Sequence, residues 1–290
     1  MRMANVGGRA HLVRADGRAV DIGRASGGVL PADPMELIEH WDRALAWAGP
    51  YLAEQAAGQA PGQVGSVRLP DGDRLGPPVP RPRQVFAVAS NYRDRPAVVP
   101  GGADLPVVFT KFPSSITRPG ADLPLPTATV DWEVEIVAVV GRRASGLTPE
   151  QGWAAVAGLT VGQDFSERTL QLGGAAKQFS LGKSFPAFGP IGPVLVSPDE
   201  FRNPDRLRLT CEVNGEVVQD GDSAAMIHRV PDLVSALSRI CELHPGDLIF
   251  TGTPAGLGMS RTPPRYLRPG DVVTSRVEGI GGFRTTCVSP

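Results

Sequence analysis

Asp131-Trp132-Glu133-Val134-Glu135 runs directly into the apolar segment 136–140, Ile-Val-Ala-Val-Val. In an extended chain alternate side chains share a face. A strand through 131–140 therefore places Asp131, Glu133 and Glu135 on one side, with Val137 and Val139 beyond them, and Trp132, Val134 and Ile136 on the other. Three like charges on a partly covered face repel one another and are costly to bury unless something positive sits among them. A hard cation answers both problems, because Mg²⁺, Mn²⁺ and Ca²⁺ favour oxygen ligands. Taken alone, the segment also reads as a solvated edge strand.

Three further segments bear on that choice. Residues 159–163, Leu-Thr-Val-Gly-Gln, are strand-like and end in Asp164, either a third oxygen ligand or the N-cap of a helix beginning just after it. Gly182-Lys183-Ser184-Phe185 lies in a stretch with Pro186, Gly189, Pro190, Gly192 and Pro193, read as a loop. Its lysine suits an anion, or is simply solvated. Residues 246–254 end in Thr251-Gly252-Thr253-Pro254, where a tight turn after a strand exposes hydroxyl and backbone donors suited to a carboxylate. An ordinary strand-end turn has the same sequence.

The remainder is strand-rich. Short β-branched runs at 85–89, 107–110, 134–140, 194–196, 207–213, 248–251 and 272–277 alternate with turns, and Asn214-Gly215 predicts a type I′ hairpin. Ile280-Gly281-Gly282 is a second, weaker turn signal. Helices are predicted over 149–157 and 231–241. Nearer the start, two short strands flank Asp16-Gly17. A helix then opens at Asp33-Pro34, with Leu37, Ile38, Trp41, Leu45, Ala48 and Leu52 at helical spacing. Gly76-Pro77-Pro78-Val79-Pro80-Arg81-Pro82 reads as a linker. The expected organisation is a small α+β domain over 1–75, a Pro-rich linker over 76–83 and a main domain over 84–290. Strands dominate without regular βα alternation, and no G-x-G-x-x-G or Walker pattern occurs. The fold class is α+β, built on a mixed or antiparallel β-roll rather than a Rossmann or TIM architecture.

Composition narrows the function. The 290 residues are 41% hydrophobic with a formal charge of −1, which argues against nucleic-acid and anionic-membrane partners. No apolar run reaches the roughly 18 to 20 residues of a membrane span, and the first residues lack a signal-peptide core. The expectation is a cytoplasmic protein. Cys211, Cys241 and Cys287 are widely spaced, and His11, His40, His228 and His244 stand too far apart for a zinc site.

The motifs together resemble the fumarylacetoacetate hydrolase superfamily over about 84–288. They are Ser90-Asn91-Tyr92-Arg93-Asp94, Phe109-Thr110-Lys111, Asp131 to Glu135, Gly162-Gln163-Asp164-Phe165-Ser166-Glu167-Arg168, Gly182 to Phe185, Val213-Asn214-Gly215-Glu216, and Pro245-Gly246-Asp247 through Pro254. Each is weak alone; seven in one order are specific. The resemblance implies a β-roll core with a small N-terminal domain, a homodimer, and Mg²⁺ or Mn²⁺ (sometimes Ca²⁺) held by Glu133, Glu135 and Asp164. It implies Lys183 and Gln171 as catalytic or substrate-supporting groups and Thr253 as a carboxylate contact. Tyr92, Arg93 and Lys111, within the same motifs, join them as substrate-binding candidates. The substrate implied is a small 2-oxo or 2,4-dioxo acid.

One departure shapes the expected chemistry. Hydrolases of this family carry a water-activating His, often with a Glu, shortly after the Asn-Tyr pair. Here that position is Arg95, and neither His nor Glu lies between Asn91 and Pro100. A guanidinium is a poor base, though Arg93 or Arg95 could clamp a second carboxylate. The reading is a metal-dependent enzyme that cleaves a C–C bond by hydrolysis or decarboxylation through a stabilised enolate. Alternatives are an isomerase, tautomerase or dehydratase of the same superfamily, a hydrolase with a relocated base such as His228, or a member without hydrolase activity.

Overall fold

The computed structural model describes residues 1–56, 65–69, 74–94, 106–175 and 177–290. Val134–Val140 lies inside a mixed sheet of 12 strands among the described residues. It is antiparallel to Val156–Gln163 on one side and to Leu248–Phe250 on the other. The period-2 pattern holds along it. Val134, Ile136, Ala138 and Val140 enter one core, and Val137 and Val139 enter a second. The first core fills the space against a five-stranded sheet that contains Arg208–Val213, Val272–Val277 and Gly281–Val288, with Leu209, Cys211, Val273 and Phe283 among its residues. The second core includes Leu37, Ile38, Trp41 and Ala44. These come from helices Pro34–Glu39 and Trp41–Ala56, the first capped by Asp33 through the Met35 and Glu36 amides. The fold is α+β, as the strand-rich pattern implied.

The N-terminal strands do not form a sheet of their own. Arg2–Val6 pairs antiparallel with Gly189–Val196 and carries Arg9–Val13 and Arg18–Asp21 beyond it, so they extend the large sheet. Leu75–Gly76 returns to pair with Arg2–Val6. The 76–83 stretch thus marks a change of composition across which the sheet is continuous.

Three local readings change. The helix expected over 149–157 stops early: Pro149–Gly152 is α-helical, Trp153–Ala155 is 3₁₀, and Val156 already begins a strand. The Gly/Pro stretch read as a loop contains the strand Gly189–Val196. Its glycines are needed for close approach. A Cβ on Gly192, at φ +143°, would lie 2.7 Å from Pro119, and one on Gly189 would lie 2.9 Å from Ile116. The late turn falls at Gly279, φ +75°, while Gly281 is already paired with Val277. The Asn214-Gly215 hairpin forms as expected, with φ of 54° and 83°. Among the described residues no helix is long and apolar enough to cross a membrane.

Gly158 marks how tightly the central strands pack. A Cβ there would lie 2.6 Å from the Val196 carbonyl oxygen of the neighbouring strand, which cannot swing aside. Gly158→Ala is expected to destabilise the protein by about 1–3 kcal/mol, lowering Tm by roughly 2–4 °C per kcal/mol in a thermal melt.

Candidate metal centre

The main-chain ladder is interrupted between Val130–Asp131 and Val134–Val140. Two buried glutamines satisfy the amides at the break. Gln163 Oε1 accepts from Glu133 N at 2.8 Å, and Gln219 Oε1 accepts from Val134 N at 3.0 Å. Their amide groups continue outward. Gln163 Nε2 donates to Ser275 Oγ at 3.0 Å, and Gln219 Nε2 donates to Thr253 Oγ1 at 2.7 Å. The Glu133 carbonyl accepts from Asp164 N at 2.9 Å, fastening the end of one strand to the end of the next. Glu133, Glu135 and Asp164 are thereby brought together, with one oxygen from each lying within 4.8 Å of the others and all three side chains buried.

Each of these carboxylates has one oxygen in a fixed contact, an ion pair for Glu133 and a hydrogen bond for Asp164 and Glu135. Arg168 Nη2 lies 2.7 Å from Glu133 Oε1, Lys111 Nζ donates to Asp164 Oδ1 at 2.8 Å, and Gly252 N donates to Glu135 Oε2 at 2.8 Å. Lys183 Nζ reaches the other oxygens of two of them, Glu133 Oε2 at 2.9 Å and Asp164 Oδ2 at 2.6 Å. Gly182 makes this possible: a Cβ there would lie 2.9 Å from Gln171 N and from the Glu167 carbonyl. Without a side chain, the helix Phe179–Gly182 packs against Arg168–Leu172 and delivers Lys183 to the carboxylates.

Asp131 leaves the metal set. Simple alternation grouped it with Glu133 and Glu135, but the break at 132–133 gives it other partners. It accepts from Arg168 Nε at 3.0 Å, Gly258 N at 2.9 Å and Met259 N at 3.0 Å. It therefore orients Arg168, which in turn holds Glu133 and donates to Gln171 Oε1 at 2.8 Å. Both carboxylates hold the Arg168 guanidinium firmly charged: burial alone would lower its pKa, and Glu133 and Asp131 more than offset that.

Among the described residues Glu135 has no ion pair. Burial pushes its carboxyl well above the ordinary range, and the charges of Asp164 and Glu133 add to the push. Burial lowers the Lys111 ammonium against the pull of Asp164. A buried carboxylate with no ion pair among the described residues, beside two others in an all-oxygen set, fits a hard divalent cation. Glu133, Glu135 and Asp164 would hold it.

The other expected residues are spread more widely. Gln171 is buried and bonded to Arg168. The Thr253 hydroxyl donates to the Val134 carbonyl at 2.8 Å and accepts from Gln219, so it braces the strand. Lys111 is fully buried, with its ammonium on Asp164 and the Lys183 carbonyl. Tyr92 is buried, and among the described residues its hydroxyl has no hydrogen-bond partner; burial, then the charge of Glu135, raises its pKa. Arg93 is exposed and donates to the Ala224 carbonyl at 3.4 Å. Arg95 lies outside the described residues. The backbone of His228 is clasped by Asn91, which also holds the Thr251 carbonyl. Sequence reasoning missed Arg168, Gln163 and Gln219 as parts of the site. The available signal was the unmet demand for positive charge near Glu133.

The chain matches the fumarylacetoacetate (FAA) hydrolase C-terminal family over residues 84–288. It is 41% identical over 208 residues to the mitochondrial oxaloacetate tautomerase FAHD2A of Bos taurus, a match covering 70% of this chain and 66% of that protein, just under two thirds of its length. It is 35% identical over 260 residues to the oxaloacetate tautomerase YisK of Bacillus subtilis, covering 87% and 85% of the two chains. A crystal structure of a Mycobacterium smegmatis protein, provisionally described as HpcE, superposes with a TM-score of 0.87 at 45% identity, covering 100% of both.

Two substitutions have opposite expected effects on the metal-free protein. Because the Glu135 carboxyl is raised above its ordinary 4.5, the folded state keeps a proton that the unfolded chain releases. Stability is full below that ordinary value and falls as pH rises toward the raised one. Glu135→Gln removes that loss. It is expected to raise the neutral-pH Tm, by about 1 kcal/mol or more in stability, and to abolish any Tm rise on adding Mn²⁺. Lys111→Met leaves Asp164 Oδ1 without its cation and is expected to cost about 3–5 kcal/mol. Melts across pH, with and without Mn²⁺, check both.

Proposed function

The chain belongs to the fumarylacetoacetate hydrolase family, and on that premise we propose that it is a divalent-cation-dependent tautomerase of a small 2-oxo diacid, of which oxaloacetate is the model. The observation that carries this reading is the sealed set Glu133, Glu135 and Asp164 with the Lys183 ammonium set against two of its members. The relatives' tautomerase activity supports it. So does the sequence 91–100, which has neither His nor Glu to activate water.

Enol–keto exchange moves one proton between C3 and the C2 oxygen. It consumes no water and releases no carbon. When bound, a divalent cation would supply Lewis-acid polarisation of the 2-oxo group. Lys183 has three N–H donors, two of them engaged by Glu133 and Asp164. An N–H of this ammonium can hold, or protonate, an oxygen that gains charge as the C3 proton leaves. The Tyr92 hydroxyl, unpartnered among the described residues, is the natural second contact for a ligand oxygen. Arg168 donates to Asp131 and Gln171 and is ion-paired with Glu133, so in this reading it fixes ligands. Burial of the whole set keeps water from competing for the proton.

The test is the decay of enol-oxaloacetate absorbance with Mg²⁺ or Mn²⁺, for wild type and Glu133→Ala, alongside CO₂ release and cleavage of an acylpyruvate. The expected result is wild-type acceleration of about 10²-fold or more over the variant, with no CO₂ and no cleavage. CO₂ released in step with oxaloacetate loss would replace tautomerase by decarboxylase, and acylpyruvate cleavage would restore a hydrolase with its base elsewhere.

A further inference from the structure

Three carboxylates each have one oxygen held: Glu133 Oε1 by an ion pair with Arg168, Asp164 Oδ1 by a hydrogen bond from Lys111, Glu135 Oε2 by one from Gly252 N. The opposite oxygens of Glu133 and Asp164 converge on a single atom, Lys183 Nζ, at 2.9 and 2.6 Å. A positive charge therefore already sits between two of the carboxylates that fit a cation. Residue choice is consistent with a specialised role. Of the 29 Lys and Arg in the chain, Lys occurs only at Lys111, Lys177 and Lys183. Lys177 is exposed, and the other two are 0% and 2% exposed in this site. In a chain that otherwise uses Arg, this cluster uses a compact, rotatable ammonium instead of a planar guanidinium fork.

We propose that the Lys183 ammonium is the resident occupant of the cation seat, that a divalent cation binds by displacing it from Glu133 and Asp164, and that the ammonium thereby becomes available to an anionic ligand. The inference rests on the metal-dependent reading above. The geometry gives its direction: a cation held by Glu133 and Asp164 would compete for the two oxygens that now hold the Lys183 ammonium. The displaced ammonium then needs a partner, and an anionic 2-oxo acid supplies one. Cation and acid binding are coupled through one side chain, each tightening the other.

The surroundings allow the head to move while the backbone stays. Lys111 donates to the Lys183 carbonyl, and its own stem is lodged where a Cβ on Gly189 would come within 3.2 Å. Lys183 Nζ also lies 5.1 Å from the Phe109 ring centroid, a face that can receive an ammonium leaving the carboxylates.

Calorimetric titration of Mn²⁺ into metal-free wild type and Lys183→Ala tests this without turnover. The variant is expected to bind Mn²⁺ about tenfold tighter or more. In the variant, methylammonium should weaken Mn²⁺ binding back toward wild type, whereas tetramethylammonium at equal concentration, which has no N–H to offer the carboxylates, should not. Equal or weaker Mn²⁺ binding by the variant overturns the exchange while leaving the metal-dependent function standing. So does an equal effect of the two ammonium ions, which would reduce Lys183 to a diffuse charge. Failure of the wild type to bind Mn²⁺ at all overturns both. If Lys183→Ala does not fold, Lys183→Met takes its place: tighter Mn²⁺ binding supports the exchange, and equal or weaker binding overturns it.

Discussion

Four carboxylates and three cationic side chains share a region closed to water, and the structure around them is arranged to make that tolerable. Asp131, Glu133, Glu135 and Asp164 are each at most 3% exposed, as are Lys111, Lys183 and Arg168. Isolated charges at such depth would be prohibitive. The cost is met by geometry: six of the eight carboxylate oxygens have a donor at 2.6 to 3.0 Å, supplied by a side chain or a main-chain amide. The imbalance that remains falls on Glu135, where a cation is chemically most useful.

The second sheet gives no ligand, yet the site depends on it. Gln219 comes from the strand Glu216–Asp222 and joins Val134, Thr253 and Pro254. Gln163 reaches across to Ser275 and the buried Cys211. Losing either glutamine would orphan an amide at Glu133 or Val134, so the packing of the two sheets and the position of Glu133 are one problem.

Much of this was readable from the residues. Val134–Val140 has the period-2 alternation and β-branching of a strand packed on both faces, and its boundaries fell where expected. Glu133, Glu135 and Asp164 could be grouped because two share a strand face and the third ends a strand-like run, and the fold brings the three together. What stayed hidden was set by distant partners or by shape. Arg168 looks like any helical arginine until Asp131, 37 positions away, is placed against it. Gly189-Pro190-Ile191-Gly192-Pro193 has loop composition, and only the nearness of Ile116 and Pro119 shows why a strand there needs glycine. Lys111 was expected as a substrate contact; its hydrogen bond to Asp164, 53 positions away, is a pairing that sequence cannot show.

The order in which the anchors occur along the chain has a consequence for biosynthesis. Glu133 and Glu135 emerge early, but the amides of Gly252, Gly258 and Met259 and the hydroxyl of Ser275 come far later. At about 5–20 residues per second, the roughly 140 residues from Glu135 to Ser275 take about 7–28 s to translate. Until those late segments dock, the carboxylates lack the amides that hold Glu135 and Asp131, so the centre is completed only near the end of synthesis.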